Sequence, residues 1–316
     1  MVLSIHVFKR STTMKNTMKI AALSLVVGMA GFVGCGEQPA PDDTSSQIAQ
    51  SLGEEAELRY ARTRDQKDIA YRVIGDGPQD VVLVHGWMVS GAVYDNLIDE
   101  LAGPDYRLIV PDLRGSGLSE KPPAGYPLQN YIKDIEAVVK DSGASDFVLA
   151  GHSMGGALAQ LYATKYDRKL KGLILMSPVP ASGFPLPPES YDLFAAAAYD
   201  TSLQELIIQI SSVDIQPDDF AAMAADASGV LPKAIRQSLD SWTGADFADK
   251  LHKIDTETLI LVSDDPFMNP AFLQSVVGDL IANSQVQYFP GSGHYLQVED
   301  PASSAAYLDA FISGLD

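Results

Sequence analysis

The stretch Phe147-Val-Leu-Ala-Gly-His-Ser-Met-Gly-Gly156 decides the fold that this sequence predicts. Its first four residues are apolar and predict a buried strand, and the residues after Gly156 begin a helical pattern. The five residues from Gly151 to Gly155 fit the pattern G-x-S-x-G, which sets a serine on a sharp strand-to-helix turn. Glycine at both ends of the pattern avoids side chains that would clash with the neighbouring strand and helix. Ser153 then lies at a helix N-terminus, where free N–H groups favour a developing negative charge.

Further predicted strands lie on both sides of this stretch. Short apolar runs, typical of parallel strands buried on both faces, occur at residues 81–84, 108–110, 173–176 and 259–262. Residues 58–62 and 68–74 alternate in polarity, as half-buried antiparallel strands do, and residues 286–289 form the last predicted strand. Helical patterns separate these runs at residues 93–101, 128–142, 156–166, 271–281 and 302–315. Such alternation predicts an α/β fold with a mostly parallel sheet covered by helices on both sides.

One segment, at about residues 181–250, interrupts the alternation. It is rich in Ala, Asp and Leu, has helical spacing and contains no clear strand. We expect a helical insertion that caps the carboxyl edge of the sheet, where ligands bind in such folds. Apolar side chains in or near it suggest an apolar pocket, although each of them fits a purely packing role equally well. These residues are Met88, Phe184, Tyr191, Phe194, Trp242, Phe267 and Met268.

A serine hydroxyl is a poor nucleophile without a base, and His294 is the best candidate for that base. It lies in a glycine-rich turn after the last predicted strand, where it can fold back over the sheet edge. The base in turn needs a carboxylate that orients it, expected between the serine and the histidine in sequence. Asp264 and Asp265 both follow the strand at 259–262, and Asp265 is preferred while Asp264 remains an alternative.

Two backbone N–H groups are expected to hold a negatively charged oxygen at this site. The strand at 81–84 runs into His85-Gly86-Trp87, and the glycine lets the backbone approach the serine. The N–H groups of Trp87 and Met154 are therefore the predicted oxyanion-hole donors.

With these motifs in order, the chain resembles the α/β-hydrolase family over roughly residues 58–316. The resemblance rests on His85-Gly86-Trp87, on Asp112-Leu-Arg-Gly-Ser-Gly-Leu-Ser119, on residues 151–156, and on Gly293-His294 with Glu299 and Pro301. It implies an eight-stranded, mostly parallel sheet, with Ser153, Asp265 and His294 as catalytic residues. It also implies that Asp112 and Arg114 mainly shape a loop. Family members that open epoxides or remove halides carry an aspartate where this chain has Ser153.

The serine favours acyl transfer to water, so the predicted function is a carboxylesterase acting on a small to medium, partly apolar ester. The alternatives on the same residues are an acyltransferase, a peracid-forming enzyme or a hydrolase of carbon–carbon bonds. A different class of function is a non-catalytic envelope lipoprotein that uses the fold to bind a ligand. The intact set of serine, histidine and aspartate argues against the last alternative.

Composition excludes several other functions. The 316 residues contain 22 basic and 41 acidic side chains, a net charge of −19, and nucleic-acid binding needs a basic surface. The one cysteine, Cys35, excludes an internal disulfide and the cysteine-rich zinc sites. The sequence has no H-E-x-x-H spacing, no G-x-G-x-x-G fingerprint and no P-loop, so we expect neither a metal nor a cofactor.

The N-terminal residues have the features of a targeting segment. Residues 1–34 contain four basic side chains and no acidic one, and the apolar run at 20–33 ends just before Cys35. This resembles the bacterial lipoprotein signal, in which the cysteine is lipidated and becomes the mature N-terminus. Translation starts at Met1, Met14 or Met18.

The predicted organisation is therefore a signal peptide at 1–34, a Pro-rich polar tether at 35–56 and one hydrolase domain at 57–316. The expected location is the bacterial cell envelope, on the periplasmic or cell-surface side, where a lipid on Cys35 anchors the protein to a membrane. The alternative is a secreted soluble protein.

Overall fold

Eight strands form one sheet in the computed structural model, which describes residues 56–101 and 103–315. They are β1 (Ala56–Arg62), β2 (Asp68–Ile74), β3 (Gln79–Val84), β4 (Tyr106–Pro111), β5 (Phe147–His152), β6 (Leu170–Met176), β7 (Thr258–Val262) and β8 (Ser284–Tyr288). The strand order across the sheet is β1-β2-β4-β3-β5-β6-β7-β8. Only β2 runs against its neighbours, because it pairs antiparallel with both β1 and β4. The other neighbouring pairs are parallel, so the prediction of a mostly parallel sheet is confirmed.

Helices flank this sheet, as the alternating pattern predicts. They are α1 (Asp95–Leu101), α2 (Leu128–Ser142), α3 (Met154–Tyr166), α4 (Pro188–Ala196), α5 (Thr201–Ser211), α6 (Pro217–Gly229), α7 (Pro232–Thr243), α8 (Pro270–Val276), α9 (Leu296–Glu299) and α10 (Pro301–Ser313). The helices cover apolar strands, and every side chain of β5 and of β7 is buried. That burial explains why these strands appear in the sequence as short continuous apolar runs.

Four of the helices, α4 to α7, lie between β6 and β7 and form the helical insertion. All residues of the predicted range 181–250 are described, and none of them belongs to a strand. The insertion follows the carboxyl end of β6, at the edge of the sheet where β5 leads into α3.

The ends of several elements differ from the sequence predictions. The helix predicted at 271–281 ends earlier, because α8 stops at Val276 and a short 3-10 turn at Gly278–Leu280 follows it. Val277 separates the two, with φ −131° and ψ −59°, outside helical geometry. Helix α2 matches its prediction at both ends, and Gly143 terminates it in a left-handed conformation with φ 72°. The first strand begins at Ala56, one residue before the predicted domain boundary.

The predicted leader at 1–34, the predicted lipid attachment site at Cys35 and the predicted tether up to residue 55 lie outside the described residues. No helix within the described part of the chain is long and apolar enough to cross a membrane.

The loop after β4 is held by the two residues to which the family resemblance gave a structural role. Arg114 is buried and donates to both carboxylate oxygens of Asp134 on α2, at 2.7 Å and 2.5 Å. Asp112 accepts hydrogen bonds from the backbone N–H groups of Gly91, at 2.9 Å, and Leu118, at 2.8 Å. Both side chains are used within the loop and its immediate neighbours, which agrees with a loop-shaping role.

Candidate active site

Ser153 lies on a sharp turn between β5 and α3. Its backbone has φ 54° and ψ −117°, a conformation that L-residues rarely adopt. Such strain costs about 1–3 kcal/mol and persists only where the surroundings hold it. Here the Ser153 N–H donates to the carbonyl of Met176 at 3.0 Å, and the Ser153 carbonyl accepts from the N–H of Val179 at 2.9 Å. The end of β6 and the loop after it therefore fix the serine in its strained position.

The two glycines of the turn leave no room for a side chain. A Cβ at Gly151 would lie 2.3 Å from the carbonyl oxygen of Gly155. A Cβ at Gly155 would lie 2.2 Å from the carbonyl oxygen of Val84 in β3. Both clashes involve backbone atoms, which cannot move aside without distorting a strand or a helix. The prediction that these glycines avoid clashes with the neighbouring strand and helix is confirmed.

The segment after β3 approaches Ser153 closely. A Cβ at Gly86 would lie 3.1 Å from the Ser153 Cβ and 3.1 Å from His152 Nδ1. Trp87 follows Gly86 in the chain, and Met154 follows Ser153 as the first residue of α3. The two predicted N–H donors thus belong to segments that meet at the serine, and their role as an oxyanion hole stays a prediction.

His294 is buried and paired with Asp265. The His294 Nδ1 lies 2.6 Å from the Asp265 Oδ2, and each residue is only 7% exposed. The backbone N–H of His294 donates to the carbonyl of Ser211, the last residue of α5, at 2.8 Å. The edge of the Phe267 ring packs against the imidazole, with ring centroids 6.0 Å apart and planes at 87°. Residues from the β7 loop and the insertion therefore fix the position of the histidine.

The carboxylate of Asp265 stays charged despite its burial. Burial raises its pKa, but the nearby His294 lowers it, and so do the N–H groups of Phe267 and Met268. Those two N–H groups donate to Asp265 Oδ1 at 2.7 Å and 3.1 Å. The net result is a pKa below the ordinary value for aspartate. The carboxylate is then an acceptor at neutral pH, so His294 carries its proton on Nδ1 and leaves Nε2 free.

Asp264, the alternative candidate, does not contact His294. Its exposed carboxylate accepts from the Tyr288 hydroxyl at 2.6 Å and from the Gly291 N–H at 3.0 Å. Asp264 thus stabilises the glycine-rich turn that leads to His294, whereas Asp265 contacts the imidazole itself.

Glu299 supports the His294 turn from the other side. Its Oε2 accepts from the N–H groups of Gly293 at 3.0 Å, Val213 at 2.7 Å and Asp214 at 2.8 Å. One carboxylate therefore ties the turn to the loop between α5 and α6 of the insertion. Nothing in the sequence indicated this contact except the place of Glu299 in the family motif.

The other described histidines are occupied or distant. His152 is fully buried, and its Nε2–H donates to the carbonyl of His294 at 2.8 Å. Burial lowers the pKa of His152 to about 3, so the ring is neutral at physiological pH. His85 Nε2 accepts from the Leu113 N–H at 2.9 Å, and its Nδ1–H donates to the Gly86 carbonyl at 2.8 Å. His252 is exposed on the surface, as predicted.

Ser153 and His294 line the same apolar cavity. The space open to the centre of a water molecule is about 50 Å³, which is room for a few water molecules. Its walls are Trp87, His152, Ser153, Val179, Phe184, Leu186, Phe194, Ile207, Ser211, Trp242, Phe267, Met268, His294 and Tyr295. Several of these residues belong to the insertion, which therefore covers the serine.

Five of the seven apolar residues singled out in the sequence line this cavity, whereas Met88 and Tyr191 have the packing role that the sequence left open. Met88 is buried in the loop after Trp87, where its φ of 64° fixes a turn. The Tyr191 hydroxyl donates to Asp240, and its ring packs against the Arg236 guanidinium, 5.2 Å away. The sequence did not indicate that Ile207 and Ser211 on α5 line the cavity, because a helical pattern does not show which element its buried face will contact.

An aromatic contact joins the loop after β3 to the insertion. The ring of Trp87 stacks on Phe194, with centroids 5.5 Å apart and planes at 12°. The Trp87 Nε1–H donates to the carbonyl of Ile235 on α7 at 2.8 Å. Residue 87 therefore carries a predicted oxyanion donor in its backbone and anchors the insertion with its side chain.

Comparisons with known proteins agree with this fold. The sequence profile described as "Alpha/beta hydrolase family" matches residues 81–306. A non-heme haloperoxidase of Rhodococcus erythropolis is 27% identical over 276 residues, covering 81% of this chain and 99% of that protein. A bifunctional esterase/perhydrolase of Acinetobacter calcoaceticus is 25% identical over 285 residues, covering 81% of this chain and 99% of that protein. The solved structure of an esterase from Exiguobacterium antarcticum has the same fold, with a TM-score of 0.75 at 24% identity over 81% of this chain and 99% of that chain.

The profile match runs from β3 into α10 and includes Ser153, Asp265 and His294. Within residues 56–101 and 103–315, no group of three or more His, Cys, Asp or Glu side chains could hold a metal ion. The family match covers well over half of the 316 residues. The chain therefore belongs to the alpha/beta hydrolase family and is a hydrolase similar to esterases and non-heme haloperoxidases.

Proposed function

We propose that this chain is a carboxylesterase that hydrolyses esters of short acyl groups through an acyl-enzyme on Ser153. One observation carries the proposal: Ser153 and His294 line one small apolar cavity, and Asp265 holds the His294 Nδ1 at 2.6 Å. The small cavity supports a short acyl group, because about 50 Å³ open to the centre of a water molecule holds only a few water molecules. Esterases among the similar proteins support the same substrate class.

The first half of the reaction acylates the serine. As the Ser153 Oγ forms a bond to the carbonyl carbon, His294 Nε2 takes the hydroxyl proton. Negative charge develops on the carbonyl oxygen, and the N–H groups of Trp87 and Met154 stabilise it. The bond to the leaving alcohol then breaks, and His294 gives the proton to that alcohol. Asp265 keeps the imidazole in the required tautomer and stabilises its charged form.

The second half releases the acid. Water attacks the acyl carbon while His294 Nε2 takes a proton from the water. The ester bond to Ser153 Oγ then breaks, and His294 returns the proton to that oxygen. The neutral ring of His152 supports this cycle, since a second cation beside His294 would oppose its protonation.

A fluorophosphonate probe and a series of p-nitrophenyl esters test the proposal directly. We expect stoichiometric labelling at Ser153, located by mass spectrometry, and hydrolysis that is fast for acetate and butyrate and slow for octanoate. Prior labelling should abolish the hydrolysis. A folded protein that reacts with neither reagent would favour the alternative of a non-catalytic ligand-binding lipoprotein.

Peracid formation is a second candidate for the same acyl-enzyme. It is favoured by one observation, the similarity over 81% of the chain to a bifunctional esterase/perhydrolase. In that reaction hydrogen peroxide, instead of water, would attack the acyl carbon and leave with the acyl group as a peracid. Adding hydrogen peroxide to the ester assay and measuring peracid separates peracid formation from hydrolysis. Adding an alcohol and measuring the new ester separates acyl transfer from hydrolysis in the same way.

We also propose that the protein is anchored in the bacterial cell envelope by a lipid on Cys35. Four basic residues, the apolar run at 20–33 and the cysteine after it support this location. Mass spectrometry of the mature protein should then find an acylated Cys35 at the N-terminus. An unmodified terminus at another residue would contradict lipidation and favour secretion as a soluble protein.

A further inference from the structure

The helical insertion contacts the turn that carries His294 through backbone atoms. We call this turn, residues 291–295, the base turn. A Cβ at Gly293 would lie 2.6 Å from the carbonyl oxygen of Ser211 and 2.7 Å from the backbone nitrogen of Val213. The His294 N–H donates to the same carbonyl of Ser211 at 2.8 Å. The end of α5 and the residues after it are therefore packed directly against the backbone that carries the imidazole.

Glu299 joins the two sides of this contact with one carboxylate. It accepts hydrogen bonds from two N–H groups of the base turn, those of Gly293 at 3.0 Å and Tyr295 at 3.2 Å. It also accepts from two N–H groups of the insertion, those of Val213 at 2.7 Å and Asp214 at 2.8 Å. Hydrogen bonds to an ionised acceptor are stronger than those between neutral groups. Removing the carboxylate would therefore take the acceptor from four N–H groups of two segments at once.

Helix α5 also forms part of the cavity wall. Its residues Ile207 and Ser211 line the cavity together with Ser153. A substrate that pushes this wall outward would move the same helix whose end holds the base turn. On its other side, the base turn is held by the loop after β7, where the Asp264 N–H donates to the Ser292 carbonyl at 2.8 Å. One support of the base turn thus belongs to the sheet and the other to the insertion.

We propose that the insertion positions the catalytic base, and that Glu299 is the positioning residue through which it acts. His294 can take the Ser153 proton only from within hydrogen-bond reach, so its backbone must be held. While the segment after α5 stays in place, the Ser211 carbonyl and the Glu299 carboxylate hold the base turn. When that segment moves away, His294 loses its position, so acyl transfer depends on where the insertion lies. This inference rests on the proposed esterase function and adds a regulation of the same site.

Two substitutions of Glu299 test its positioning role in the full chain. We expect Glu299→Ala to lower kcat for p-nitrophenyl acetate by about 10²-fold, the effect that a 1 Å misplacement of a catalytic group can have. Glu299→Gln should stay within about threefold of the wild type, because its amide oxygen can accept the three N–H groups that Oε2 accepts. Rescue by glutamine separates the loss of the acceptor from the loss of the charge.

Asp167 provides the matched control, because its carboxylate also joins segments that are far apart in the chain. Its Oδ1 accepts from the N–H groups of Asp255 and Thr256, each at 3.1 Å, and from the Thr256 hydroxyl at 2.7 Å. Asp167 follows α3 and Thr256 precedes β7, so this contact lies at the amino edge of the sheet, opposite the cavity. Asp167→Ala should lower the urea midpoint of unfolding and leave kcat within about twofold of the wild type.

Proline substitutions at the two ends of α5 test the same inference without changing Glu299, in case Glu299→Ala does not fold. Val213→Pro removes an N–H that donates to Glu299, and the Val213 side chain is 57% exposed. Thr201→Pro lies at the first position of α5, where proline is well tolerated. We expect Val213→Pro to lower kcat about tenfold, the worth of one hydrogen bond to a charged group, and Thr201→Pro to leave it unchanged. Equal kcat values for the two folded variants would overturn the inference.

The proton between His294 Nδ1 and Asp265 Oδ2 gives a spectroscopic signature of the positioned base. A hydrogen bond of 2.6 Å should give a low-field proton NMR signal in the wild type and in Asp167→Ala, and a broadened or lost signal in Glu299→Ala. A merely structural role of Glu299 would lower stability alone, so a folded Glu299→Ala variant that keeps both this signal and kcat would overturn the inference. If the folded wild type hydrolyses no ester, the proposed function fails, and the NMR comparison still tests the positioning.

Discussion

Replacing Ser153 with alanine is expected to lower kcat/KM for p-nitrophenyl butyrate by about 10⁴- to 10⁶-fold. The substitution removes the only atom that can form the acyl-enzyme, while His294, Asp265 and the backbone N–H groups remain in place. The small residual rate would come from binding and from stabilisation of the oxyanion, with water as the nucleophile. Initial rates for the purified variant, with circular dichroism to verify folding, measure the effect.

A matched serine elsewhere controls for this experiment. Ser142 ends α2, is buried, and donates from Oγ to the Val139 carbonyl at 3.1 Å. It precedes the amino end of β5, whereas Ser153 follows the carboxyl end, and it does not line the cavity. Ser142→Ala should leave kcat/KM within about twofold of the wild-type value. A substitution in the core that does not touch the catalytic residues changes the stability of the protein and not the chemistry of the reaction. If Ser153→Ala retained more than about a tenth of the wild-type rate, a mechanism through Ser153 would be wrong.

The residues that could be predicted from the sequence are those whose role depends on local chain geometry. The turn at Ser153 needs glycine at 151 and 155, because a Cβ there would lie within 2.3 Å of a backbone oxygen. Such a requirement leaves a mark within five residues of sequence. The ends of α2 are similarly local, since Gly143 alone supplies the left-handed conformation that terminates the helix.

Contacts between distant segments leave no comparable mark. The pairing of the His294 N–H with the Ser211 carbonyl joins residues 83 positions apart and uses only backbone atoms, so any residue at 211 could supply it. The same limit explains why the sequence left the role of Tyr191 open, since its partner Asp240 is far away in the sequence.

Asp264 and Asp265 show, at adjacent positions, what local sequence can predict and what depends on contacts with distant residues. Both residues follow β7, so their position alone predicts that either could orient the histidine. The structure separates them by partner, because Asp264 accepts from the Tyr288 hydroxyl at 2.6 Å and Asp265 contacts His294 Nδ1 at 2.6 Å. One of these neighbouring carboxylates contacts the imidazole and the other contacts Tyr288, so the two residues are a matched pair for mutation.

Asp265→Asn is expected to lower kcat/KM by about 10⁴-fold, although the side chains are nearly equal in shape. The wild-type carboxylate holds the proton on Nδ1 and so leaves Nε2 free to accept the serine proton. An amide can donate its own N–H to Nδ1, which would place the imidazole proton on Nε2 and block proton transfer from Ser153. The amide also lacks the charge that stabilises the imidazolium. A pH profile of kcat/KM measured alongside the rate should show activity recovering only at high pH, if at all.

Asp264→Asn is expected to keep kcat/KM within about threefold of the wild type, because its carboxylate lies outside the imidazole contact. The amide oxygen can still accept from Tyr288, and only the hydrogen bond from the Gly291 N–H is exchanged for a weaker or absent one. The loss should therefore appear as stability, about 1 kcal/mol in urea unfolding. Similar activity losses in the two variants, or a larger loss at Asp264, would contradict the role of Asp265 as the residue that orients His294.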